Sequence, residues 1–199
     1  MRPRQRSRPA RHHRVTGVLH LASRAYIARP WRNGGGITHD IVTVPAGAGE
    51  DDFWWRASIA TIAAAGPFSF WPQVDRAFLL LRRELLLTIG DSGEQRISPG
   101  ARAIRFAGEA AVAARPVEGP CTVFNLMARR GRSRIAVDCW TTARPSTAAQ
   151  CLLLAEQPTT VRVHGDAIAL AQQDALLLTG GIPAGLTFDR PLIAVEIFV

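Results

Sequence analysis

No stretch of twelve or more residues carries a clear 3.6-residue apolar period, and this constrains the chain more than any motif in it. The nearest approach, Ile59 to Ala65, is stopped by Gly66-Pro67. Short period-two segments recur instead. Residues 36 to 44 place Ile37, His39, Ile41 and Thr43 on one side and Thr38, Asp40, Val42 and Val44 on the other. From Phe53 to Ala60, Trp55, Ala57 and Ile59 oppose Trp54, Arg56 and Ser58. Further short apolar runs fall at 77–81, 85–89, 103–106, 122–128, 135–139, 151–155, 160–163, 175–179 and 192–199. With 17 Gly and 13 Pro as punctuation, the pattern predicts an all-β sandwich or barrel.

Three clusters of aromatic, arginine and glycine residues interrupt this rhythm: Pro30-Trp31-Arg32-Asn33-Gly34-Gly35-Gly36, then Trp55-Arg56-Ala57-Ser58-Ile59-Ala60, then Gly66-Pro67-Phe68-Ser69 leading to Asp75-Arg76. They read as a binding site. Arg56 and Ser58 lie two apart on one strand face, so a guanidinium and a hydroxyl stand side by side. Arg76 follows a turn that can return it to the same mouth, and a guanidinium forms short, charge-assisted bonds to carboxylates. The plainer readings put Arg56 on a solvent face and pair Arg76 with Asp75. Asn33 and its glycines serve equally well as a tight turn or as ligand contacts. Trp31, Trp54, Trp55 and Trp71 read as core or rim packing. Asn125, on an otherwise apolar strand, needs partners and either serves the pocket or braces a loop.

A formal charge of +8 suggests nucleic acid until its distribution is considered. Arg2, Arg4, Arg6, Arg8, Arg11 and Arg14 supply six charges, leaving about +2 for the rest, and every cation is arginine. Residues 1 to 16 have almost nothing apolar to bury and read as a disordered tail, so nucleic acid is disfavoured as a partner. No apolar run reaches membrane-spanning length, which predicts a cytoplasmic protein without a membrane partner. Cys121, Cys139 and Cys151 lack metal-binding or disulfide spacing and read as buried free thiols. His20, His39 and His164 are far apart, so neither a metal nor another cofactor is expected. His39 and Asp40 are adjacent on a strand, and only one of them can enter a lumen.

In their order and spacing, these clusters, with Trp71-Pro72-Gln73-Val74-Asp75-Arg76, Phe106-Ala107-Gly108 and Phe124-Asn125-Leu126-Met127, resemble the HutD/Ves family. The resemblance implies a double cupin (bicupin), two fused β-barrel or jelly-roll halves in one compact unit. It divides the chain at 17–128, the half carrying the motifs, and 129–199. In the second half, Val161 to Asp166 followed by a Pro/Gly turn resembles a cupin hairpin. The chain departs from the family in three places. Gln73 stands where the family writes Gly in a Phe-Pro-Gly turn, implying another turn type. Arg82-Arg83-Glu84 replaces a Gly-x-Gly, implying another hairpin geometry. Val123 replaces an Asp, removing a carboxylate from the expected pocket rim.

Family members are similar to proteins encoded beside histidine-utilisation enzymes. The resulting expectation is a small-carboxylate-binding protein that regulates histidine or other amino-acid catabolism. Its ligand would be N-formylglutamate or urocanate, held by Asn33, Arg56, Ser58, Ser69, Arg76 and Asn125, with no catalytic residue assigned. A ligand-binding, regulatory protein is favoured over an enzyme. The rival is a metal-independent isomerase or hydrolase acting on a small organic acid with His39 as base. A homodimer is left open.

Overall fold

A computed structural model describes residues 17–31, 35–100 and 102–199. The Arg-rich opening and Asn33 lie outside the described residues. The period-two segments become strands β1 (Gly17–Leu21), β2 (Ile27–Pro30), β3 (Gly36–Val44), β4 (Trp55–Ile62), β5 (Gly66–Pro67), β6 (Val74–Arg82), β7 (Leu85–Ile89), β8 (Gln95–Ile97) and β9 (Ile104–Ala107). There follow β10 (Val112–Pro116), β11 (Cys121–Arg129), β12 (Arg134–Trp140), β13 (Gln150–Leu154), β14 (Thr159–Val163), β15 (Asp166–Leu170), β16 (Ala175–Thr179), β17 (Thr187–Phe188) and β18 (Leu192–Phe198). Among the described residues the helical structure is one short turn at Ser23–Ala25, and no helix is long and apolar enough to cross a membrane.

The strands form four sheets, ordered β5-β10-β7-β8, β2-β3-β4-β11-β6-β9, β1-β16-β13-β18-β12 and β15-β14-β17. Three apolar clusters stack them in that order. Ala60, Ile62, Phe78, Leu80 and Val123 of the six-stranded sheet meet Leu85, Leu87, Val112 and Ala114 of the four-stranded one. The opposite face of the six-stranded sheet, with Trp55, Ala57, Ile59, Phe124 and Leu126, packs on Leu152, Leu154, Leu177, Ile193 and Val195 of the five-stranded sheet. That sheet's outer face, with Cys151, Leu153, Leu176 and Leu178, is closed by Val161, Val163 and Leu170. The result is two cups set back to back, an all-β double-cupin fold. The Trp55 Nε1–H donates to Gln150 Oε1 across the middle layer at 2.8 Å, satisfying the one polar atom of a fully buried indole.

β11 ends at Arg129, where the sequence suggests its boundary between halves. β1, however, adds to the five-stranded sheet through β16, so the first strand lies among the strands of the second half. The His20 ring hydrogen-bonds Asp174 Oδ2 at 2.9 Å, and the Ser23 N–H donates to Asp174 Oδ1 at 2.7 Å, fixing that crossing.

Local geometry corrects several expectations. The alternation of β3 breaks at Ile41, where the register against β4 slips by one residue. Asp40 opposite Ser58 and Thr43 opposite Arg56 therefore share the inner face, while His39 opposite Ile59 is on the other. Gln73 takes φ +60 and Arg83 φ +63. Both turns thus keep a left-handed residue, and a non-glycine side chain carries the strain there. Val123 is fully buried in the floor of the first cup, away from any rim. The expected hairpin forms between β14 and β15, with His164 and Gly165 at φ +53 and +94. Cys121 and Cys151 are buried, but Cys139 is exposed.

Candidate functional site

The second cup is filled by Trp140, Cys151 and a set of leucine, valine and alanine side chains, whereas the first opens above its apolar floor into a cleft of about 930 Å³. Strand register determines what lines that cleft. β11 runs between β4 and β6, and Met127 is opposite Arg56 on one side and Arg76 on the other. The three side chains form one rung, with the arginine-bearing strands about 10 Å apart. One rung deeper, Asn125 lies between Ser58 and Phe78, and below it Val123 begins the hydrophobic floor. The cleft is therefore polar at mid-depth and apolar beneath.

The walls come from loops pinned by backbone hydrogen bonds. The Phe68 N–H donates to Val112 O at 2.8 Å and the Trp71 N–H to Gly108 O at 2.8 Å, placing Phe68, Ser69, Phe70 and Trp71 along one side. Gly108 permits this approach, since a Cβ there would lie 2.2 Å from Trp71 O. Opposite, Trp31 donates its Nε1–H to Thr38 Oγ1 at 2.9 Å and covers Gly36. Glu50 and Asp51 add acidic side chains at the outer edge.

The two expected arginines are in different electrostatic states. Arg56 Nη2 donates to Asp40 Oδ1 at 2.8 Å, and Asp40 also receives Arg29 Nε at 2.5 Å. Sequence reasoning missed Asp40 as a site residue. Alternation puts Asp40 on one face with Thr38, but only the pairing of β3 with β4 sets it opposite Ser58 and beside Arg56. Arg76 has no carboxylate partner among the described residues, because Asp75 points to the other face and pairs with Arg130 at 2.7 Å. Arg76 lies instead against both Phe106 and Phe68, its guanidinium carbon 5.0 and 5.1 Å from the ring centroids.

Its Nη1 donates weakly to the Ser69 backbone carbonyl at 3.3 Å, and its Nε is buried with no partner. Burial, followed by repulsion from Arg56, lowers the Arg76 pKa to about 10. The group remains charged at neutral pH. Asn125 Oδ1 is likewise buried and unpartnered.

Five of the expected ligand residues, Arg56, Ser58, Ser69, Arg76 and Asn125, line this one cleft. Ser69 offers its carbonyl to Arg76. His39, the base of the rival enzymatic reading, is outside the cleft on the opposite strand face. Among the described residues, no group of three or more His, Cys, Asp or Glu side chains is arranged to hold a metal ion.

A model of the HutD family matches residues 23–192. The chain belongs to the HutD family. This HutD-family chain is 40% identical over 108 residues to Protein Ves of Cronobacter sakazakii (strain ATCC BAA-894), a match spanning 54% of this chain and 58% of that protein. The chain thus spans little more than half the length of that curated relative. The structure of HutD from Pseudomonas fluorescens SBW25 in a formate condition is similar with a TM-score of 0.80 and 27% identity, over 92% of this chain and 98% of that one. A Cupin 2 conserved barrel domain protein from Leptotrichia buccalis, at 8% identity and a TM-score of 0.51, covers 82% of this chain and 88% of its own and shares the fold alone.

Proposed function

We propose that this HutD-family protein binds a small organic acid in the first cup and thereby regulates histidine or related amino-acid catabolism, with N-formylglutamate and urocanate as candidate ligands. The observation that carries this reading is Arg76, a charged guanidinium set against two aromatic rings, with a buried N–H unsatisfied and no acid beside it among the described residues. An uncompensated cation in such a place is costly to the empty protein. A ligand carboxylate removes that cost. Arg56, its charge shared with Asp40, borders the same rung and supplies further positive potential, while Ser58 offers a hydroxyl one rung deeper. Phe68 and Trp71 exclude water from the bound acid. The role in histidine catabolism rests on kinship with HutD.

Isothermal titration of the protein with N-formylglutamate and urocanate tests the proposal. Binding is expected, and Arg76→Met should weaken it about 10- to 100-fold, the loss of a charge-assisted hydrogen bond. Equal affinity in wild type and variant, or no binding of either acid, refutes it.

A further inference from the structure

β9 is the outermost strand of the six-stranded sheet and β12 the outermost of the five-stranded one. A groove of about 570 Å³ lies where these two edges face each other, lined by Arg105, Phe106, Arg134, Ile135 and Ala136. The side chain of Arg105 crosses it, donating from Nη1 to the Ile135 carbonyl at 3.1 Å. Packed sheets lie about 10 Å apart and paired strands about 4.8 Å apart, so the opening has room for one strand between the two edges.

Ile135 is opposite Ile197 in the β12–β18 ladder, and the Ile197 carbonyl accepts the Ala149 N–H on the side away from β12. Ile135, Val137 and Cys139 therefore turn their N–H and C=O groups out of the sheet. Side chains cap two of these groups, Arg105 at the Ile135 carbonyl and Asp138 Oδ1 at the Cys139 N–H, 2.8 Å away. Val137 keeps both of its own without a partner among the described residues. Such an edge is a template for another strand.

The two faces of β12 determine the chemistry of that strand. Ile135 and Val137 turn inward onto the apolar cluster between the sheets, so a strand beside them places every second side chain there and needs it apolar. Arg134 turns outward, its guanidinium carbon 4.1 Å from the Phe198 ring centroid. Hydrogen bonds from Arg144 and the Cys139 N–H, with the nearby charge of Arg102, hold the Asp138 carboxyl below its ordinary range. Arg144 already answers that acid at 2.9 Å, whereas Arg102, Arg105 and Arg134 have no carboxylate partner among the described residues. The outward positions of an added strand thus meet uncompensated cations, which carboxylates suit. A second copy of this chain is disfavoured, because it would bring the same arginines to the same place.

We propose that the opening between β9 and β12 docks an extended segment of a partner protein in which apolar and acidic residues alternate, added to β12 as a sixth strand of the five-stranded sheet. Its backbone pairs with Val137 and replaces the caps at Ile135 and Cys139, and its acids pair with the arginines. This docking does not depend on what the first cup binds.

The probe is a fluorescein-labelled peptide of about eight residues alternating glutamate and valine, with a lysine–valine peptide of equal length as control. Fluorescence anisotropy at about 50 mM salt should show the acidic peptide binding at least about 10-fold more tightly, with affinity falling as salt rises. Amide exchange at Val137 should slow when that peptide is bound. Val137→Pro removes the outward N–H without touching a ladder hydrogen bond and should weaken binding at least about 10-fold. No binding, equal binding of the two peptides, or unchanged exchange at Val137 in the bound state overturns the inference on wild type alone. Undiminished binding by folded Val137→Pro does the same. Displacement of the peptide by excess urocanate would put it in the first cup, and self-association abolished by Val137→Pro would make the occupant a second copy; either result overturns the inference while leaving the carboxylate reading to its own titration.

Discussion

Replacing Arg76 with methionine should stabilise the ligand-free protein while disabling its cleft. The side chain is partly buried, has no anion near it and feels the charge of Arg56, which together bring its pKa down to about 10. A drop of that size corresponds to roughly 3 kcal/mol of unfavourable free energy in the charged state at neutral pH. Two cation–π contacts, to Phe68 and Phe106, return about 0.5–1 kcal/mol each, and the long bond to the Ser69 carbonyl less than about 1 kcal/mol. Methionine retains the contact with both rings and removes the charge. The net expectation is a gain of about 1 kcal/mol, or about 2–4 °C in Tm for a chain of this size.

The folded-state pKa is lowered, so the folded protein binds fewer protons than the unfolded chain only above about pH 10. The penalty is therefore constant through the neutral range and is relieved as pH rises past that point. Urea denaturation at pH 7 without ligand, repeated with saturating urocanate, measures both effects. Wild type should gain more stability from the acid than the variant, by about 1.4–2.7 kcal/mol for a 10- to 100-fold loss of affinity. A loss of more than about 1 kcal/mol in ligand-free Arg76→Met would show that the guanidinium is structurally compensated and would refute an anion-binding role for it.

Gln73 at φ +60 bears backbone strain that glycine does not, so Gln73→Gly should stabilise the protein by about 0.5–1 kcal/mol in thermal or chemical denaturation. A destabilised variant would mean that the side chain contributes more than the strain costs. Glu109 is drawn down to about 2 by its hydrogen bonds from Arg130 and then from the Gln73 N–H. Because this folded-state pKa is depressed, its stabilisation is complete above the ordinary carboxylate range and is lost as pH falls toward 2. Across pH 7 to 2, the Tm of wild type should therefore fall further than that of Glu109→Gln, and parallel curves would contradict the assignment.

The strands were legible because side-chain alternation is a property of extended backbone alone. Residues 36–44, 85–89 and 175–179 could be bounded from sequence to the residue. Strands outside that reading carried little signal: β10 interleaves small alanines and β8 is three residues long. The apolar runs of β13, β16 and β18 lost their alternation because both faces of the five-stranded sheet are covered. Within the site, the pairing of Arg56 and Ser58 on one face was readable at a separation of two residues. The partnership of Arg56 with Asp40 was not, since it depends on the register of β3 against β4 that sets Asp40 opposite Ser58, beside Arg56.

Taken alone, the order of residues established an all-β chain, the motif clusters and the candidate arginines, because these depend on neighbours a few positions apart. Which arginine is neutralised, which cup is hollow and which sheet receives β1 depended on contacts spanning up to 154 residues, as between His20 and Asp174. Such contacts are governed by strand order and register, which local stereochemistry leaves free. The cleft exists because β4, β11 and β6 lie side by side, bringing Arg56, Met127 and Arg76 to one level above a floor too apolar to answer their charge.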